Sequence, residues 1–200
     1  HEPLYTERLI VEDSNNLKQI VSYVLVASHG KLLRFRRQPK NINRVGEFVD
    51  GHFAIGFGGH VQEEDKNLFS TMPTGYMESV QRELFEEIKV RIDPDDSRIQ
   101  MLGVLNDDSS PLGEKHFAFI HLLELDDSEF ESGEDTIQEP ELVSFEEISR
   151  DFQLYEYWSK LCLLHFFPDR LSFTCHIQPN THFSLKENGK HILIVGEIGS

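Results

Sequence analysis

Two hundred residues with 38% apolar content suffice for one substantial core, and two separate domains would be cramped. Nineteen basic against thirty-five acidic residues give a formal charge of -16, so the overall field repels DNA, RNA and anionic membrane surfaces and argues against nucleic acid or membrane as partner. An anionic small molecule remains compatible, provided a divalent cation and a local group of Arg and Lys neutralise it where it binds.

Cys162 and Cys175 have neither metal-ligand spacing nor the number a disulfide scaffold needs, and read as buried thiols in a reducing cytosol. The apolar runs, such as Val24–Ala27 and Leu161–Phe167, are well short of a membrane span, and no signal peptide is visible. A cytoplasmic location is expected. The first residue is His1 rather than Met, as in a trimmed, processed or partial chain.

In chain order, Val21–Val26 and Lys31–Arg36 are extended runs separated by the turn chemistry of Ser28-His29-Gly30, which predicts a hairpin. His52–Ile55 is a further short strand that leads into Gly56-Phe57-Gly58-Gly59, where glycine permits a sharp bend and close approach of a ligand to the backbone. From Tyr76 to Ile88 the period becomes helical: Met77, Val80, Leu84 and Ile88 fall on one face, and Pro73 and Thr74 stand before it as start signals. Strands are expected at Ile99–Leu105 and His116–Leu125, around the turn-rich Asn106–Pro111. Asp126–Glu141, with eight acidic residues among sixteen, reads as a solvated loop. Two closing helices follow, at Glu146–Arg150 and Tyr155–Phe166; beyond Pro168, Leu171–Ile177 and Phe183–Val195 read as an added β-hairpin with Asn188-Gly189 as its tight turn. The expected division is an N-terminal extension (1–18), a principal domain (19–166) and a C-terminal β extension (167–200).

Within the predicted helix, Glu83, Glu86 and Glu87 stand at i, i+3 and i+4. At about 100° per residue they share one face, while Leu84 and Ile88 point elsewhere. Like charges so placed weaken a bare helix by a few tenths of a kcal/mol per pair, roughly, and a divalent cation compensates them. Oxygen ligands select Mg²⁺ or Mn²⁺ over Zn²⁺. An acidic helical face is by default only a solvated face, and the neighbouring residues decide the matter.

Gly58-Gly59, followed by Arg82-Glu83-Leu84-Phe85-Glu86-Glu87-Ile88-Lys89-Val90, resembles the Nudix box, G-x5-E-x7-R-E-U-x-E-E-x-G-U with U aliphatic. Leu105–Pro111 with His116–Phe119, and Tyr155–Ser159, resemble segments of a Nudix subgroup with a Gly-Gly-His loop and an extended box, so the likeness covers roughly residues 19 to 166. It implies an α/β fold, a mixed β-sheet in an α/β/α sandwich. It also implies Mg²⁺ (or Mn²⁺) dependence and hydrolysis of a nucleoside diphosphate linked to another group.

The sequence departs from the pattern in three places. From Gly59 to Arg82 there are 23 positions where the pattern has 14, so nine extra residues lie between Glu63 and Tyr76; Asp65 takes the place of the first acid; and Lys89 takes that of the glycine. A left-handed Lys89 would cost on the order of 1 kcal/mol.

The metal set implied by the resemblance is Glu83, Glu86 and Glu87 with the carbonyl of Gly59. Arg82 is expected to orient these acids. Glu83 by resemblance, and Glu114 and Glu139 as acids on loops flanking the His116 strand, are candidates for the general base. Arg34 and Arg36 share one strand face and are weighed equally as a phosphate clamp and as surface ion pairs; His60, Gly58 and Gly59 complete the expected substrate contacts. The ring of Trp158, with those of Tyr155 and Tyr157, is expected to pack rather than to stack on a base. Two other readings are a catalytically weak sensor of a nucleotide derivative and an isomerase, which would need a catalytic cysteine.

Overall fold

The computed structural model describes residues 5, 17–37, 52–66, 75–93, 95–126 and 129–172. The expected hairpin is β1 (Gln19–Ser28) and β2 (Lys31–Arg37), paired antiparallel. His29 and Gly30 between them take φ of 46° and 76°, the left-handed pair whose twist matches the flanking strands. The run expected from His52 is two short strands, β3 (Phe53–Ala54) and β4 (Gly56–Phe57). Then come α1 (Tyr76–Ile88), β5 (Ile99–Asn106), α2 (Pro111–Lys115), β6 (His116–Glu124), β7 (Ile137–Val143), α3 (Phe145–Asp151) and α4 (Tyr157–Phe166).

The seven strands form one mixed sheet in the order β3-β2-β1-β6-β5, with β4 on β1 and β7 on β2. β1 and β6 run parallel and the other pairs antiparallel. β1 is buried on both faces. Val24 and Val26 pack with Leu33, Phe35 and Phe57 against Val80, Leu84 and Ile88 of α1. Val21 and Leu25 pack on the opposite face against Ile148, Trp158, Cys162 and Leu163 of α3 and α4. Helices thus cover both faces of the sheet, the α/β/α arrangement expected. Val80, Leu84 and Ile88 are 0% exposed, which is worth about 1.5–3 kcal/mol each in burial.

β7 corrects the expectation for the acidic stretch, whose second half is strand rather than loop. Pro140 and two acids make its sequence, Ile137-Gln-Glu-Pro-Glu-Leu-Val143, look unlike a strand. It is tolerated because the register slips opposite Phe35, where Glu139 takes φ 50° and a bulge absorbs Pro140. The first half of the stretch is tied to the end of α1: Glu131 and Gly133 donate their amides to the Ile88 and Glu87 carbonyls, each at 2.9 Å. A Cβ on Gly133 would lie 2.1 Å from the Glu86 carbonyl, so only glycine lets the loop come this close. Lys89 closes the helix in the left-handed conformation at φ 59°, donating its amide to Phe85.

The hairpin expected beyond Ser172, the Asn188-Gly189 turn, Cys175, the start signals Pro73 and Thr74, and most of residues 1–18 lie outside the described residues. Among the described residues no helix is long and apolar enough to cross a membrane.

Candidate active site

After β4 the chain runs antiparallel to α1 and meets it one helical turn at a time. The Gly58 amide donates to Glu87 Oε2 at 2.7 Å. Gly59 stands against Glu83, where a Cβ would lie 2.6 Å from Oε1. The His60 carbonyl accepts from Ser79 Oγ at 3.4 Å and from Arg82 Nη2 at 3.0 Å. Glu87, Glu83 and Ser79 are four apart and so lie along one helix face. Both glycines are required: Gly58 takes φ 132°, and a Cβ there would meet the Ser22 carbonyl at 2.5 Å. The loop is fastened from behind, since Ser22 donates its amide to the Gly59 carbonyl at 2.9 Å and accepts the Gly59 amide on Oγ at 3.2 Å. That carbonyl, the backbone ligand implied by the resemblance, also accepts from Ser22 Oγ at 3.4 Å.

Arg82 gathers the acids. Its Nε and Nη2 reach the two oxygens of Asp65 at 2.7 and 3.1 Å, and its Nη1 reaches Glu83 at 2.8 Å and Glu86 at 3.2 Å. Asp65 is buried on a short 3₁₀ turn, Glu63–Asp65. Despite the nine extra residues, the acid that stands for the first glutamate of the pattern is thus fork-paired to the arginine. Positive charge is nevertheless short. Burial pushes the Glu87 carboxyl up to about 7, against the opposing pull of Arg37 and the Gly58 amide, and Glu83 and Glu134 add to the rise. The Glu83 carboxyl is raised too, chiefly by burial, with Glu86 and Glu134 contributing.

Hard carboxylate oxygens in excess over cations are the donor set Mg²⁺ or Mn²⁺ takes. Among the described residues no three such side chains converge on one point, because Glu83 and Glu86 reach to Arg82 and Glu87 to Gly58. Glu86 is half-exposed, and the residues fit a divalent cation in the chemistry of their donor atoms.

Other expected residues lie elsewhere. Arg34 and Arg36 do share a strand face, but it is the face away from α1. Arg34 is buried, bonded to Glu141 at 2.8 and 2.9 Å, Asp151 at 3.1 Å and the Tyr155 hydroxyl at 3.2 Å. Arg36 lies 3.3 Å from Glu139, and both guanidiniums stack on Phe53, at 3.8 and 4.1 Å. Of the two readings weighed for this pair, these contacts are those of ion pairs, and Glu139 stands with them on the far side. Glu114 is exposed on α2. Tyr155 is fully buried and Trp158 nearly so, while Tyr157 is 46% exposed.

Three residues not singled out for the site stand beside it. Arg37, one position on from Arg36, faces α1 and stacks on Phe35 at 5.3 Å. Glu134 is felt by Glu83 and Glu87, although it lies in the stretch read as solvated loop. His116 pairs with His60, Nε2 to Nε2 at 3.0 Å. Strand alternation could have identified Arg37; nothing local marks Glu134, whose place depends on Gly133 docking onto the helix end.

No family model and no curated protein matches the chain. Solved structures do. Tm1382, a proposed Nudix hydrolase, is 24% identical with a TM-score of 0.62, over 82% of this chain and 80% of that one. The Nudix domain of Shewanella oneidensis NrtR, complexed with ADP ribose, is 12% identical with a TM-score of 0.54, over 84% of this chain and 100% of that one. A bifunctional NMN adenylyltransferase/ADP ribose pyrophosphatase from Francisella tularensis, complexed with AMP and a Mn ion, is 17% identical with a TM-score of 0.53, over 78% of this chain and 44% of that one. Topology, the helix on each side of the sheet and these likenesses agree: the chain has the Nudix fold.

Proposed function

We propose that the chain is a Nudix-type hydrolase that uses Mg²⁺ or Mn²⁺ to cleave the pyrophosphate bond of a nucleoside diphosphate linked to another group, with Glu83, Glu86 and Glu87 as the metal-holding acids. The observation that carries this reading is the excess of carboxylate against the glycine loop, with Glu87 raised to about 7 in a site that two arginines only partly neutralise. A bound divalent cation supplies charge neutralisation at the phosphoryl oxygens and lowers the pKa of water. Arg82 holds Glu83 and Glu86 in place, and the Gly58 amide fixes Glu87. Glu134, outside the helix but within its field, takes the proton of the attacking water in preference to Glu114 or Glu139. Arg37 supplies the fixed positive charge for the substrate.

The test is release of phosphate-bearing products from nucleotide sugars, dinucleoside polyphosphates, ADP-ribose and dNTPs, with Mg²⁺ or Mn²⁺ and with chelator. Metal-stimulated turnover of one class supports the enzyme. Tight nucleotide binding without turnover would instead support a sensor, the reading favoured by the lack of three convergent acids among the described residues. Against the isomerase reading, Cys162 is buried on the far face with its thiol pushed up by burial, while Cys175 lies outside the described residues.

A further inference from the structure

Ser22 lies within the largely apolar run Val21–Val26 of β1 and is 3% exposed, a place where a hydroxyl costs stability unless its hydrogen bonds are made. Its partner across the sheet is Gly59. The antiparallel register that pairs Leu25 with Gly56 and Val24 with Phe57 continues to the bridge between Val21 and His60, which sets Ser22 opposite Gly59. Opposed residues of the hydrogen-bonded kind ordinarily exchange two backbone bonds. Here Ser22 donates its amide to the Gly59 carbonyl at 2.9 Å, but the returning Gly59 amide goes to Ser22 Oγ at 3.2 Å. The Ser22 carbonyl faces Gly58 instead, where a Cβ would meet it at 2.5 Å. One half of the ladder pair is thus carried by a side chain, and the backbone leaves strand geometry there, with Gly58 at φ 132°.

We infer that Ser22 is a positioning residue for the acid site: its hydroxyl draws the Gly58–Gly59 peptide out of the ladder and turns it toward α1. The same turn gives the Gly58 amide to Glu87 Oε2 at 2.7 Å and sets Gly59 against Glu83. Without the hydroxyl, the acceptor that regular pairing offers the Gly59 amide is the Ser22 carbonyl. Taking it would rotate the peptide between the two glycines, which have no Cβ to resist, and carry the flanking Gly58 N–H and Gly59 C=O with it. The orientation belongs to the protein without metal; that it serves a cation rests on the hydrolase reading, in which the Gly59 carbonyl is a ligand. A cation there competes with the Ser22 hydroxyl hydrogen, whose contact of 3.4 Å is long for a bond between two oxygens. Serine suits both needs, since its oxygen accepts from the Gly59 amide whichever way its own hydrogen turns.

The test is Ser22→Ala, which removes one oxygen, followed on the full chain by amide ¹H–¹⁵N NMR without metal and by Mn²⁺ titration. In the wild type the Gly58 amide proton is expected downfield, as befits a short bond to a carboxylate, and in Ser22→Ala it should move upfield. Mn²⁺ affinity should fall about tenfold, the worth of one hydrogen bond to a buried partner. Ser22→Thr and Ser22→Val repeat the comparison at constant shape, since the two side chains differ in the hydroxyl alone. Thr should keep the downfield Gly58 amide and Val should lose it. A Gly58 amide unmoved in Ser22→Ala, or alike in the Thr and Val variants, would overturn the positioning role, and a lowered melting temperature without that shift would reduce Ser22 to a structural tie. A moved Gly58 amide with wild-type Mn²⁺ affinity would remove the cation from the inference. Wild-type protein that binds no Mn²⁺ would sink the hydrolase reading alone, because the Gly58 shift is read without metal.

Discussion

Each face of the sheet carries an arginine surrounded by acids, and the two assemblies differ in how their charges balance. On the far face Arg34 meets Glu141, Asp151 and Tyr155, and Asp151, bonded by Arg34 and Arg150, is held below the ordinary carboxylate range. Those charges are compensated, and the arrangement stabilises. On the α1 face Arg82 must serve Asp65, Glu83 and Glu86 at once, and Glu83 and Glu87 are raised instead. A folded chain retains such an excess of buried negative charge only where something else neutralises it. Pairing alone therefore does not mark a site; the sign of the imbalance does.

The sharpest way to break the comparison is Glu87→Gln. Turnover should be lost, because a ligand charge disappears from the helix face. The metal-free protein should become more stable at neutral pH by about 1–3 kcal/mol, since a buried charge that folding disfavours is replaced by a neutral acceptor for the Gly58 amide. Activity assays and chelator-treated melts read the two halves. Retained turnover would remove Glu87 from the metal set, and a destabilised variant would mean that its charge is already compensated.

The opposite outcome is expected for Arg34→Ala, which removes a buried side chain stacked on Phe53 while its partners Glu141 and Asp151, 52% and 22% exposed, stay within reach of water. A loss of about 1–3 kcal/mol follows from the lost packing and charge-assisted bonds, with Mn²⁺ affinity of the folded fraction unaltered. Leu84→Ala, a cavity under α1, should cost about 2–5 kcal/mol. Denaturant midpoints measure both, and a wild-type midpoint for Arg34→Ala would place that arginine among ordinary surface cations.

A pH test separates these effects from a third buried group. His121 stacks on Tyr76 beneath α1, and burial lowers its imidazole to about 4. Its folded value lies below the unfolded one, near 6.5, so the unfolded chain binds the extra proton between them. Stability from this group is complete above pH about 6.5 and falls by about 3 kcal/mol on acidification to about 4. His121→Phe should flatten that part of the stability–pH curve, and an unchanged slope would show that another group titrates there.

The elements around the site were largely legible in the sequence, because periodicity and glycine chemistry are local. α1 occupies the residues from Tyr76 to Ile88, and the left-handed Lys89 was foreseeable from the missing glycine. β7 was not legible, since Pro140 and the bulge at Glu139 make sense only against Phe35 of another strand. Spacing put the acids of the helix on one face, and the resemblance of the surrounding residues to the Nudix box singled them out. Glu134 and His116 could not be found in this way, as each reaches its place through pairing distant in sequence. Alternation correctly put Arg34 and Arg36 together, but it does not say which face of a strand buried on both sides looks toward the acids.

That last ambiguity sets the smallest expected effect. Arg37 lies on the α1 side with Phe35, and its charge pulls against the rise of Glu87. Arg36 is stacked on Phe53 beside Glu139. If Arg37 holds a phosphate away from the reacting phosphorus, it stabilises ground and transition states alike. Arg37→Ala should then raise KM by about three- to tenfold, the worth of one charge-assisted contact near solvent, with little change in kcat. Arg36→Ala, in the same assay, should leave both constants within about twofold. Added salt should narrow the gap, because a guanidinium near solvent is screened over about 8–10 Å. Steady-state kinetics of the two variants at low and high salt decide the matter. Equal KM values would return Arg37 to the surface, and a larger effect at Arg36 would mean that the substrate crosses the sheet edge on the side of Phe53.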